Sequence, residues 1–245
     1  GSFSCVIDPA TADTVTIGSG TSTSTSYYHP IGNYFKYSYT QQLIDADEMN
    51  GATALTGIDF QYNYGTAMTD KNDVTIYMAN VSETSLSSAI VPYDTSFHQV
   101  YHGNLNCAQG WNHFEFDTPF SYDGTSNLLI VIHDNSNDYD GNSYTFNTHS
   151  ATGKGRYVQN DNTPYDITNI TATSTAYAYR VNMKLYSGTC LYMSTCANPS
   201  VVVADVAATS VDLSWVPGAN ETSWNIDYRA EGDTVWTSAA TNFKS

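Results

Sequence analysis

The residues best suited to chemistry lie in one short polar run, Asp134-Asn135-Ser136-Asn137-Asp138-Tyr139-Asp140-Gly141-Asn142. Carboxylates and carboxamides set this close together are oxygen donors, and a hard cation such as Ca²⁺ gathers about six to eight oxygens. Asp134, Asn137, Asp138, Asp140 and Asn142 would supply several of them from a single loop. Ser136, Asp138, Asp140 and Gly141 follow the opening of an EF-hand loop. Ser is a poor first ligand there, and Asn147 stands where a bidentate Glu belongs, so an EF-hand is rejected. A solvated turn is the preferred reading of the loop, with calcium the one cofactor it could take. Nothing else in the chain requires a cofactor.

Catalytic signatures are missing from the sequence. There is no G-x-S-x-G elbow, no H-E-x-x-H pair and no P-loop. The six histidines, His29, His98, His102, His113, His133 and His149, are scattered. His98 and His102 would share a face only on a helix, and their segment reads as strand. His133 and Asp134 are strand neighbours and point to opposite faces. A glycosidase needs two carboxylates about 5–10 Å apart across a cleft. With 24 acidic residues such a pair can always be imagined, so the expectation is that the chain is not an enzyme.

Four cysteines, Cys5, Cys107, Cys190 and Cys196, allow three complete pairings. A Cys190–Cys196 bridge would staple a domain junction and suit an oxidising, exported setting, while reduced, buried thiols are the plainer reading. Zinc is disfavoured because neither close pair has a His or Cys companion at ligand spacing.

Charge narrows the partners. Lys plus Arg number 8 against 24 acidic residues, a net charge of −16. Nucleic-acid binding would need a basic footprint, and anionic membrane surfaces would repel the chain. No apolar run is long enough to insert in a membrane, and no signal peptide is present. Gly1-Ser2 reads as a cloning remnant, which leaves an excised export signal open.

The elements that must position any site are strands. Tyr is heavily used, 20 of 245 residues, Ser and Thr abound, and good helix formers are scarce. In Trp111–Phe116, Asn112, Phe114 and Phe116 face one way and Trp111, His113 and Glu115 the other, the period of a half-buried strand. After a cluster of turn formers comes Leu128-Leu129-Ile130-Val131-Ile132, an apolar run that reads as a strand buried on both faces. Ile58–Tyr62 and Val74–Met78 alternate around the polar turn Thr69–Asp73 and are expected to be neighbours. Phe35, Tyr37 and Tyr39 share a face that reads as sheet cover rather than as an exposed platform. Gln41–Asn50 is the one expected short helix, stopped by Gly51. Residues 150–175 read as turns with a short Arg156–Val158 strand, and Ala178–Tyr186 as one closing strand. About nine short strands with turn-rich links fit a jelly-roll-like β-sandwich.

Composition shifts after Cys196. Pro199, Val211-Asp212-Leu213-Ser214-Trp215 and Trp224-Asn225-Ile226-Asp227-Tyr228-Arg229 resemble the first half of a fibronectin type III module. Residues 199–245 hold about half of the roughly 100 residues such a sandwich needs. Earlier, Ile17–Ser24, Tyr37–Gln42 and Asp117–Gly124 resemble, in patches over 13–187, β-sandwich domains of secreted Bacteroidetes surface proteins. Those domains look related to the cleaved-adhesin domains of gingipain-type proteases. The resemblance implies a jelly roll with an adhesive or accessory role, at the cell surface or outside the cell, and supplies no catalytic residue.

The expected protein is therefore all-β: a jelly-roll-like sandwich at 1–188, a junction at 189–198 and a partial fibronectin type III module at 199–245. Its expected function is noncatalytic attachment to a glycan or to a host or surface protein. Tyr27, Tyr28, Trp111, Tyr139 and Tyr165 are the expected contacts, because aromatic rings stack on sugar faces while their polar tips hydrogen-bond. The alternative is an accessory spacer of a larger secreted hydrolase with no ligand of its own; a glycosidase is the least favoured reading. Val211, Leu213, Trp215, Trp224 and Tyr228 need cover, which predicts packing on the first domain or self-association through the partial module.

Overall fold

A computed structural model describes residues 5–7, 13–18, 24–188, 190–192, 200–206, 210–216, 224–229 and 237–243. The chain is all-β. Its first strands are β1 (Cys5–Ile7), β2 (Asp13–Ile17), β3 (Ser24–Ser26), β4 (Tyr37–Ile44), β5 (Ala54–Tyr62), β6 (Val74–Val81) and β7 (His98–Gly103). Then come β8 (Gly110–Ser121), β9 (Asn127–Asp134), β10 (Phe146–Asn160), β11 (Thr175–Val181), β12 (Met183–Gly188) and β13 (Cys190–Tyr192). The last four are β14 (Ser200–Val206), β15 (Val211–Val216), β16 (Trp224–Tyr228) and β17 (Thr237–Phe243). Residues 7–191 form one compact unit; residues 1–6 and 192–245 form a second. No helix among the described residues is long and apolar enough to cross a membrane.

In the larger unit β2, β12, β5 and β8 hydrogen-bond side by side, and β10, β4, β9, β6 and β7 form a second run. The two runs join at one corner, where Phe146 of β10 pairs with Tyr62 of β5. Alternate residues of both runs meet in a single core. Ile58, Phe60, Phe114, Phe116, Met183 and Leu185 come from the first run, and Ile76, Met78, Leu128, Ile130 and Ile132 from the second. That is a β-sandwich, two layers closed over one apolar interior.

Strand β9 is the central one, flanked by β4 and β6. Its other face, Leu129 and Val131, packs with Tyr39, Leu43, Ala79, Val81 and Val158 into a second cluster. Irregular segments 82–97 and 161–174 roof that cluster with Leu86, Phe97 and the partly buried Val91, Tyr165 and Ile167. Hence the unbroken apolar run: both faces of β9 are dry. Arg156 fastens the roof, its guanidinium donating to the carbonyls of Leu86, Ser87 and Ser174 and to Ser174 Oγ at 2.6–2.9 Å.

Four local expectations are corrected. Strands β5 and β6 are not neighbours but lie in different layers, because segment 63–73 crosses between them instead of turning tightly. Residues 150–155 are not a turn: β10 runs through them as a bulged strand, its register with β11 shifting between Ser150 and Gly155. The closing strand is two, β11 and β12. Asn182 breaks it, donating its N–H to Asn147 O and accepting from Gln61 N–H, which carries the chain from one layer to the other. The expected helix shrinks to a 3-10 turn, Ala46–Met49, since Gln41–Ile44 complete the buried β4.

Among the described residues the smaller unit contains two antiparallel pairs, β14–β15 and β16–β17. Leu213 and Tyr228, expected to be covered, are 39% and 59% exposed. The side chains of Val211 and Trp215 lie outside the described residues, as do those of Cys5, Cys190 and Cys196. Cys107 is free and buried, so a complete set of disulfides does not form. Burial pushes its thiol up to about 12, which leaves it inert.

Candidate functional site

Where β3 ends, the chain turns through Tyr27-Tyr28-His29-Pro30 and lays its rings over β10 and β11. Tyr28 stacks on Tyr157 of β10 with centroids 4.6 Å apart and an interplanar angle of 14°. Tyr177 of β11 meets Tyr28 edge-on at 5.5 Å, and Tyr179 follows Tyr177 at 5.5 Å. Residues two apart on a strand share a face, which sets Tyr177 and Tyr179 on one side of β11. Gly155 of β10 makes the close approach possible: a Cβ there would sit 2.9 Å from Tyr179 O and 3.0 Å from Tyr177 O.

On the other side of Tyr28, Tyr27 lies at 4.3 Å and leads to Tyr34 at 5.9 Å. Tyr34 in turn meets Phe35 at 5.5 Å and Tyr139 edge-on at 6.3 Å. The result is a continuous run of rings, Tyr179, Tyr177, Tyr28, Tyr27, Tyr34 and Tyr139. Tyr34, Tyr139 and Tyr179 are among its exposed members. Edge-to-face contacts at these separations stabilise aromatic pairs by about 0.5–1.5 kcal/mol each beyond burial, so the rings hold one another in place.

The strip is uncharged. Tyr27 shares a 3.0 Å hydroxyl contact with Tyr28, which with burial raises its phenol to about 12. Burial pushes Tyr157 up to about 12 and Tyr177 upward as well. These hydroxyls stay protonated at neutral pH, able both to donate and to accept.

Of the expected contacts, Tyr27, Tyr28 and Tyr139 come together here. Trp111 does not. It sits on the outward face of β8, in the other layer, with Lys184 Nζ 4.4 Å from its ring centroid, a cation–π contact. Tyr165 belongs to the roof, where its carbonyl accepts from His133 Nε2 at 3.0 Å. Tyr34, Tyr157, Tyr177 and Tyr179 were not singled out by sequence. For the last two the signal was present: Thr175-Ala176-Tyr177-Ala178-Tyr179 alternates small with aromatic, a pattern that stacks rings on one face.

The acidic loop is organised around a protein cation. Lys71 Nζ, fully buried, donates to Asp134 Oδ2 at 2.8 Å, Phe35 O at 2.6 Å and Asp138 O at 2.8 Å. The remaining expected ligands are spread out. Asn137 Oδ1 accepts from Tyr37 OH at 2.8 Å, and Asp138 Oδ1 from Tyr139 N–H at 2.9 Å. Asp140 is buried with Oδ2 unpartnered, and Asn142 is exposed. No group of three or more His, Cys, Asp or Glu among the described residues is arranged to hold a metal.

One other polar cluster deserves comparison. On the outer face of the first layer His113 lies between Asp59 Oδ1 at 2.7 Å and Glu115 Oε2 at 2.9 Å, while Tyr186 OH donates to Asp59 Oδ2 at 2.9 Å. The carboxylates outweigh partial burial and raise the His113 pKa. With both nitrogens committed, this imidazole has none free to take a proton from a substrate. Burial lowers the pKa of His149, whose nitrogens are held by Asn182 and Arg180, and Arg180 forms a two-pronged pair with Glu48 at 2.6 and 2.7 Å.

Fold and site thus define an all-β sandwich with a tyrosine-lined strip. No family model matches the chain, and no curated protein matches it in sequence. Among solved structures it is similar to the clostridial cysteine protease Cwp84 after propeptide cleavage, at 14% identity and a TM-score of 0.41, over 74% of this chain and 41% of that one. A structure of the cysteine protease and lectin-like domains of Cwp84, a surface layer associated protein of Clostridium difficile, aligns at 12% identity and a TM-score of 0.37, over 63% and 32%. The chain spans less than half the length of either.

Proposed function

We propose that this chain is a noncatalytic, surface-exposed or secreted module that binds a neutral glycan along the tyrosine strip. The observation that carries the reading is the continuous run from Tyr179 through Tyr28 to Tyr139, built from loops and strand faces of one unit. Sugar rings present C–H faces that pack on aromatic rings, and their hydroxyls pair with phenols that can donate and accept. The ligand is neutral on this reading, because a net charge of −16 repels polyanions and the strip carries no cation to attract them. His113 and His149 each have both ring nitrogens in hydrogen bonds, which favours binding over turnover at those two positions.

The test is an array of neutral oligosaccharides probed with the full chain, followed by Tyr34→Ala/Tyr139→Ala. Binding by the wild type and at least a tenfold weaker affinity in the double variant, with the same unfolding midpoint, is expected. A blank array, or equal affinity in both proteins, overturns the glycan reading; the blank array would favour a spacer without a ligand.

A further inference from the structure

Lys71 sits in the polar run Thr69-Asp70-Lys71-Asn72-Asp73, where a lysine is ordinarily solvated, yet its side chain is wholly buried. An ammonium has three protons and so three hydrogen bonds to give. All three are used: one on Asp134 Oδ2 at the end of β9, one on Phe35 O and one on Asp138 O. The two carbonyls are those of the residue directly after Tyr34 and the residue directly before Tyr139. These two tyrosines form the 6.3 Å edge contact at the exposed end of the strip, and they come from loops about a hundred residues apart in sequence. The loops leave the paired ends of β4 and β9, where Ser38 faces Asp134, and beyond that pairing they are joined by Asp140 N–H on Asn33 O, Asn33 Nδ2 on Tyr144 O and Tyr37 OH on Asn137 Oδ1. Lys71 adds the charged link, one ammonium on a carbonyl of each loop.

Resting on the glycan reading for its functional meaning, we infer that Lys71 is a positioning residue of the strip, an internal cation that sets the register of the Tyr34 and Tyr139 loops alongside their direct hydrogen bonds. A carboxylate at this depth needs its counter-charge, and removing one partner alone leaves an unpaired buried charge. Lys71→Met by itself would therefore confuse positioning with stability. Lys71→Met/Asp134→Leu removes both charges with apolar side chains of similar size, a replacement that buried pairs commonly tolerate. It also leaves Phe35 O and Asp138 O with no common donor. Asp134→Asn serves as the opposite control: it keeps the lysine nitrogen beside both carbonyls, and the stability it loses by leaving that charge without its carboxylate is read separately from its unfolding midpoint.

Hydrogen exchange is measured on the full chain for wild type, Lys71→Met/Asp134→Leu and Asp134→Asn, together with affinity for cellohexaose, maltohexaose and xylohexaose. In the double variant, amide protection is expected to fall at least tenfold in segments 33–37 and 137–144, with β6 and β9 unchanged. Affinity for whichever hexasaccharide the wild type binds is expected to fall at least tenfold as well. Asp134→Asn should keep most of the protection in both segments. Unchanged protection in the two loops, or a loss spread evenly over the whole unit, overturns the positioning role. If the wild type binds none of the three sugars, the glycan reading is weakened while the exchange data still decide the role of Lys71.

Discussion

The imidazole of His29 lies parallel to the ring of Tyr177, centroids 5.1 Å apart and planes 7° from coincidence. His29 is completely buried, and neither ring nitrogen has a hydrogen-bond partner among the described residues. Burial holds its pKa down at about 3, against 6.5 for a solvated histidine. The unfolded chain accepts a proton below pH 6.5 that the folded chain refuses until about pH 3. Stability from this residue is therefore complete above pH 6.5 and is lost as pH falls through that window. His29→Phe, which keeps a stacked ring and cannot charge, is expected to lose less stability than wild type between pH 7 and 4.5 in urea titrations. An equal loss would clear His29 of the acid sensitivity.

Asp140 works with the opposite sign. Burial, with Asp70 and Asp138 adding repulsion and Lys71 opposing them, pushes its carboxyl from 3.8 to about 6. The folded chain holds a proton there that the unfolded chain has already released, so stability falls as pH rises from about 4 to about 6. Asp140→Asn should match wild type in thermal midpoint near pH 4 and exceed it above pH 6. A constant difference across that range would mean the carboxyl does not titrate there.

Arg156 makes the roof part of the core. In Arg156→Met the carbonyls of Leu86, Ser87 and Ser174 lose their donor, and each buried group left unpaired costs about 1–3 kcal/mol. A loss near 3 kcal/mol is expected, with new chymotryptic cuts at Tyr93, Phe97 or Tyr165. Resistance equal to wild type would show the roof to be held by its apolar contacts alone.

Both faces of β9 should respond alike to truncation. Ile130→Ala hollows the core between the layers and Leu129→Ala the core beneath the roof, and a buried aliphatic cut to Ala costs about 2–5 kcal/mol. Chemical denaturation reads each. A cost below about 1 kcal/mol for Leu129→Ala would mean that the roof packs loosely.

Trp111 separates the strip from aromatic surface in general. Its ring lies in the other layer beneath Lys184, so Trp111→Ala should leave glycan affinity within twofold of wild type. Tyr179→Ala, at the far end of the strip, should weaken it severalfold. Reversed effects on the array would move the site to the outer face of the first layer.

What the sequence disclosed and what it hid follow from the range of the forces involved. Alternation is local, so the inward Phe114 and Phe116, the outward Trp111, and the doubly buried Leu128–Ile132 were legible. Layer membership is not local. Nothing within Ile58–Tyr62 or Val74–Met78 says that the segment between them crosses the sandwich, and Asn182 inside an alternating run gives no sign that it passes the chain between layers. The same holds at the site. Tyr27, Tyr28 and Tyr139 were read as loop aromatics, whereas Tyr157 and Tyr177 join them only through strand register. Lys71 resembles any solvated turn lysine until Phe35 arrives from one other segment and Asp134 and Asp138 from a second. The acidic loop read as a solvated turn in preference to a calcium site, and two of its oxygens, Asp134 Oδ2 and Asp138 O, accept from Lys71.

The corner at Phe146 and Tyr62 bears on how the protein would carry a load. Strand β10 belongs to both layers, pairing with β3 and β5 at its start and with β4 and β11 further along. Peeling one layer from the other means stripping this strand on both sides, so the unit should yield in one cooperative step rather than sheet by sheet. Tyr157 stands on that same strand. A polymer gripping the strip would pull on backbone that both layers share, and tension would be spread through the sandwich instead of being concentrated in a loop.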